Sequence, residues 1–151
     1  MRGAVGIATL ALLAIVAGVS FVLQASVNAR LRAALDSPNW AALASYAGGT
    51  VVMAIVVLLA RDAIPSAAML RAAPWWAWTG GLLGAVYVVI IIVLLPRLGT
   101  AAVIALFVLG QMIASLAIDN AGWFGVPKHP VDLARVAGAV MLIAGVVLIR
   151  R

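Results

Sequence analysis

Two sets of polar residues stand where an apolar sequence offers them no water. Ser20, Gln24 and Asn28 follow one another at intervals of four within a run otherwise built mainly of Ala, Val, Leu and Ile. On a helix they share one face. Gln111, Ser115 and Asp119 repeat that spacing further along the chain. Amides, hydroxyls and carboxylates left unpaired in hydrocarbon are expensive, so each stripe must meet the other, a counterpart in a second chain, or a wet cavity. Two functions fit: lining the path of a polar solute, or gluing helices together for about 1 kcal/mol per contact. On the first reading Gln24, Asn28 and Gln111 bind substrate polar groups, and Ser115 and Tyr87 assist. Asp119 is the one carboxylate near an embedded face, because Asp36, Asp62 and Asp132 read as loop or cap residues. It is therefore the candidate for proton coupling, against a capping or surface role at the end of its helix.

Bond-making chemistry has no visible carrier. There is no cysteine, no nucleophile spaced with a base, no zinc cluster and no glycine-rich phosphate loop after a strand. His129 sits between Lys128 and Pro130 and reads as a solvated loop residue. The expectation is a protein that is not an enzyme, with no cofactor and no metal.

The elements that hold these stripes follow from composition. Of 151 residues 67% are hydrophobic and 9% charged, against about 45–50% and about 25% in a soluble domain. At roughly 20 residues per crossing, five transmembrane helices use up nearly the whole chain. The reading is an all-α membrane protein with a single transmembrane domain, 1–151, and helices at about 4–29, 39–60, 74–95, 100–119 and 132–149. The first apolar run is too long for a signal-peptide core and lacks a small-residue cleavage site. Asp36, Ser37 and Pro38 read as a cap followed by a first-turn proline. Pro65 and Ser66 open a short interfacial turn, and Pro96-Arg97-Leu98-Gly99 reads as a tight turn that makes the third and fourth spans antiparallel neighbours. Gln111 then lies about 18 Å along its helix from Gly99, near mid-membrane.

The net charge of +6 is scattered at the ends of apolar runs, which fits anchoring at the membrane edge and excludes nucleic acid as a partner. With five spans, Arg2, Arg61, Arg71, Lys128 and Arg135 fall on one side and Arg30, Arg32, Arg97, Arg150 and Arg151 on the other. Orientation follows the excess of basic residues in short loops, so an even split predicts insertion both ways up. Two inverted copies then form an antiparallel homodimer of ten helices, equivalent to the inverted repeat that many transporters carry within one chain. The alternative is one orientation set by the first helix or by a partner. Trp40, Trp75, Trp76, Trp78 and Trp123 stand at helix ends as an aromatic belt. Gly80 and Gly84 form a small-x-x-x-small pattern that permits close packing and rocking, and Gly48-Gly49 offers a bend or crossing point.

Several of these segments occur together in a known family. Gln24-Ala25-Ser26-Val27-Asn28-Ala29-Arg30-Leu31, the run from Pro74 through Trp75-Trp76-Ala77-Trp78 and Gly80-Gly81 to Tyr87-Val88, Pro96-Arg97-Leu98-Gly99, Gly110-Gln111 and Asp119-x-x-Gly122-Trp123-Phe124-Gly125 appear in order over nearly the entire chain. This resembles the YdcZ-type family of small bacterial inner-membrane proteins in the drug/metabolite transporter superfamily. The resemblance implies a five-helix half-transporter of the bacterial inner membrane, occurring as dual-topology chains, inverted pairs or fused copies. The small multidrug exporters of the superfamily carry an embedded glutamate in their first helix, where this chain has Gln24 and Asn28. An amide cannot exchange cations for protons, so a neutral polar or zwitterionic solute is the expected cargo. The expected function is secondary transport of a small polar or amphipathic metabolite by alternating access. A non-transporting subunit or assembly partner, and a channel, are the rivals.

Overall fold

The computed structural model describes residues 2–149. Arg150 and Arg151, which enter the charge tally above, lie outside them. The described chain is helical, with no strand among the described residues: α1 (Arg2–Leu35), α2 (Pro38–Ala60), α3 (Ala67–Ala72), a 3-10 segment at Trp75–Thr79, α4 (Gly80–Leu98), α5 (Thr100–Ala121), a 3-10 turn at Trp123–Gly125, and α6 (Leu133–Ile149). Four helical stretches are long and apolar enough to cross a membrane: Gly6–Leu35, Pro38–Ala60, Trp75–Leu98 and Thr100–Ala121. Leu133–Ile149 is a shorter apolar helix of 17 residues.

Local chemistry sets the ends. Ser37 is extended and its side chain accepts the Trp40 N–H at 3.3 Å, with proline in the first turn of α2, which satisfies a donor the helix cannot. Ser66 does the same for α3 through Met69. Gly122 closes α5 at φ 68°, its N–H returning to the Ile118 carbonyl, the left-handed stop glycine adopts freely. Asp132 accepts the Arg135 N–H at 2.8 Å ahead of α6.

Three boundaries differ from the sequence reading. The first helix, expected to close at about residue 29, continues to Leu35. Arg30 and Arg32 are good helix formers that mark a headgroup region without ending a helix, and the stop comes from Asp36, at φ 50°, with Ser37-Pro38 behind it. The third span opens with a 3-10 segment at Trp75 and becomes α-helical only at Gly80. Its far end runs through Pro96 to Leu98: proline offers no N–H to the carbonyl four residues back, so the helix crosses it at the cost of one ladder bond and ends two residues later. The turn is thereby reduced to Gly99 at φ 80°. Arg135 stands in the first turn of α6, inside the expected last span.

Contacts divide the chain into two compact units, Met1–Pro96 and Arg97–Arg151. In the first, α1 packs on α2, and Ala41, Ala42, Val88 and Ile92 form a buried cluster flanked by Leu31, Tyr46 and Val89. In the second, α5 packs on α6. Large apolar side chains elsewhere are exposed along every long helix. That surface suits lipid or partner helices and not water.

Candidate functional site

Small side chains set the geometry of the first unit. Ala25, Ala41 and Ala42 are buried, which lets α1 and α2 approach closely enough for short polar groups to touch. Asn28, 5% exposed, is the one buried polar side chain among the described residues. Its Nδ2 donates to Ser45 Oγ at 3.1 Å, and Gln24 Nε2 approaches the same oxygen at 3.5 Å. The amide stripe of α1 is thus turned onto a hydroxyl of α2.

Above this contact lies an open groove of about 670 Å³, lined by Gln24, Ser45, Tyr46, Gly49, Thr50, Met53, Ala54, Val57, Tyr87 and Val88. Its polar end combines one amide with four hydroxyl groups. Its other end is apolar, and no lining residue is charged. Tyr87 faces it from α4 and is tilted against Phe21, with ring centroids 6.2 Å apart. Thr50 Oγ1 donates to the Tyr46 carbonyl at 2.8 Å.

Tyr46 is held by an absence. A Cβ on Gly84 would lie 2.5 Å from Tyr46 Oη, so the tyrosine hydroxyl rests against α4 where only glycine leaves room. At Gly48, Gly49 and Gly80 an added Cβ would meet nothing within 4 Å.

The second stripe belongs to the other unit. Ser115 Oγ donates to the Met112 carbonyl at 3.0 Å, Asp119 Oδ2 accepts from Arg135 Nη1 at 3.1 Å, and Gln111 is exposed on α5. Ser115, Asp119 and Arg135 line a groove of about 460 Å³ between α5 and α6 with Val108, Met112, Leu116, Gly138, Ala139 and Leu142. His129 contributes its backbone N–H to the Asp119 carbonyl at 2.9 Å.

Of the residues singled out from sequence, Gln24 and Tyr87 line the first groove and Asn28 supports it from behind. Ser45, Tyr46 and Thr50 went unrecognised as site residues. The available signal was the register Tyr46, Gly49/Thr50, Met53/Ala54, Val57, which repeats at three and four along one face of α2.

The sequence profile of the family described as "Putative inner membrane exporter, YdcZ" matches residues 9–148. The chain belongs to this family. A relative, "Inner membrane protein YdcZ" of Escherichia coli (strain K12), is 28% identical over 143 residues, which cover 95% of each chain. No solved structure matches. With its apolar helices, membership in the YdcZ family makes this a multi-pass protein of the inner membrane, with a transporter-like role.

Proposed function

We propose that the chain is a secondary transporter of a small polar or amphipathic metabolite, working by alternating access as an antiparallel homodimer in which α6 supplies a fifth crossing. The observation that carries this reading is the groove of the first unit, where Gln24, Ser45, Tyr46, Thr50 and Tyr87 are gathered among apolar helices. Uncharged hydrogen-bonding groups at one end of an apolar hollow are what a solute needs to leave water without leaving its bonds. The even division of basic residues supports two inverted copies, which would place two such grooves in a carrier with an internal two-fold axis. In this scheme Gln111 and Ser115 complete the pathway, and Asp119 is the group available for proton coupling.

A second reading has its own support. In the other unit the Ser115 hydroxyl is spent on its own helix and Asp119 is tied to Arg135, as in a stripe that only holds or docks helices.

The two are separated by one experiment in two arms. Reporter fusions at the C-terminus should be active on both sides of the membrane. Purified homodimer in vesicles should move labelled N-acetylphenylalaninamide or glycylphenylalanine saturably. Reporter activity on one side alone overturns dual insertion, and absence of flux for both probes favours the docking subunit. Non-saturating flux would indicate a channel.

A further inference from the structure

Serine and threonine hydroxyls on helices usually return their hydrogen to a carbonyl of the preceding turn. Among the described residues Ser26 does so to Val22 at 2.9 Å, Thr50 to Tyr46 at 2.8 Å, Thr79 to Trp76 at 2.7 Å and Ser115 to Met112 at 3.0 Å. Ser45 behaves differently. It receives the Asn28 amide at 3.1 Å, with the Gln24 amide approaching the same oxygen at 3.5 Å. A hydroxyl has two lone pairs and one hydrogen. With amide donors on the lone-pair side, what Ser45 has left to offer is the hydrogen, and no acceptor takes it among the described residues. Donation into the oxygen also polarises the O–H and strengthens it as a donor.

The surroundings fix what could take that hydrogen. Ser45 is half-buried and lines the groove. Met53, Ala54 and Val57 continue the hollow as an apolar channel along α2, and no lining side chain is charged. An ion entering would shed hydration and find no counter-charge among the lining side chains, which sets it at a disadvantage to a neutral molecule of the same shape. At about 670 Å³ the hollow is in the range that holds a small organic molecule.

We infer that the groove binds an uncharged amphipathic molecule through a carbonyl or similar acceptor seated on the Ser45 hydroxyl, its apolar part lying along Met53, Ala54 and Val57. This rests on the groove being the solute site of the transporter proposed above, and it narrows the cargo from neutral polar or zwitterionic solutes to uncharged, amphipathic ones that present an acceptor to Ser45. Asn28 acts as a positioning residue: it touches Ser45 and not the ligand, and it sets which way the hydroxyl points.

The test uses the purified full chain and three probes of one shape: neutral N-acetylphenylalaninamide, anionic N-acetylphenylalanine and cationic N,N,N-trimethylphenylalaninamide. The neutral probe should bind saturably and raise the melting temperature, with both ions at least tenfold weaker. Ser45→Ala should weaken the neutral probe by up to about tenfold, the worth of one hydrogen bond, and Ser45→Thr should restore most of it. If Ser45→Ala fails to fold, the wild-type comparison of the three probes decides by itself. Equal or tighter binding of either ion, or of none of the three, overturns the inference, as does a folded Ser45→Ala protein with wild-type affinity. Transport of an ionic probe in vesicles would sink the neutral class and leave the carrier standing. Tight neutral binding without transport would do the reverse.

Discussion

Replacing Gly84 by alanine should damage the protein through one atom, the phenolic oxygen of Tyr46. The added Cβ would stand 2.5 Å from Oη, 3.5 Å from Cζ and 3.8 Å from Cε1. Only the first is shorter than an ordinary contact, so the hydroxyl must move by about 1 Å. Tyr46 packs against the Ala41, Ala42, Val88 and Ile92 cluster on one side and lines the groove on the other, so its ring yields toward the groove. Overpacking of this kind costs about 1–3 kcal/mol. Glycine to alanine within a helix returns about 0.5–1 kcal/mol by propensity alone. The net expected loss is therefore about 0–2.5 kcal/mol in Gly84→Ala, seen as a lower melting temperature and weaker N-acetylphenylalaninamide binding. Tyr46→Phe removes the offending oxygen and leaves the ring carbon at 3.5 Å. In that background Gly84→Ala should be neutral or stabilising, a coupling of about 1–3 kcal/mol across the double-mutant cycle. If Gly84→Ala is as harmful with phenylalanine at 46 as with tyrosine, the reasoning is refuted. The glycine would then serve a close helix crossing with another partner.

Other outcomes follow from the same geometry. Gln24→Leu and Gln111→Leu should each abolish vesicle flux while the dimer still purifies; wild-type flux in both would remove the amides from the pathway. Asp119→Asn should lower the melting temperature only slightly, since its bond to Arg135 joins side chains 30% and 34% exposed and such pairs contribute at most about 1 kcal/mol. If Asp119 couples protons, the same substitution should leave probe binding intact and make flux insensitive to an imposed proton gradient; undiminished gradient-driven flux removes it from that role. Ser37→Ala should destabilise by about 1 kcal/mol through the lost cap on α2, readable as a melting shift, and an unchanged melting temperature would mean the Trp40 N–H is served by water instead.

The long helices were legible because membrane spans announce themselves by length: the apolar runs after Arg2, Pro38 and Thr100 leave few alternatives to a helix. Their ends were less so. Arg30 and Arg32 read as terminators because charge signals the membrane edge, but charge does not interrupt helical backbone, and α1 goes on to Leu35. Pro96 reads as a stop because proline breaks helix interiors, yet the single ladder bond it removes does not keep α4 from reaching Leu98. Within the site, Gln24 and Asn28 stood out because amides are conspicuous among aliphatic residues. Ser45 and Thr50 did not, since single hydroxyls are common in membrane helices and most return their hydrogen to their own backbone. Which hydroxyl is occupied from outside its helix depends on how α1 and α2 face each other, a tertiary fact that no spacing within α2 records.

The 34 residues of α1 make a rod about 51 Å long, against a hydrocarbon layer of about 30 Å. Even leaning at about 40°, the steepest tilt usual for such helices, it would still reach roughly 39 Å across. Hydrophobic thickness therefore cannot be matched along its whole length. The surplus must stand in the headgroups, where Arg30 and Arg32 can meet lipid phosphates. Swapping short-chain for long-chain lipids should change how far this end protrudes well before it strains the helix.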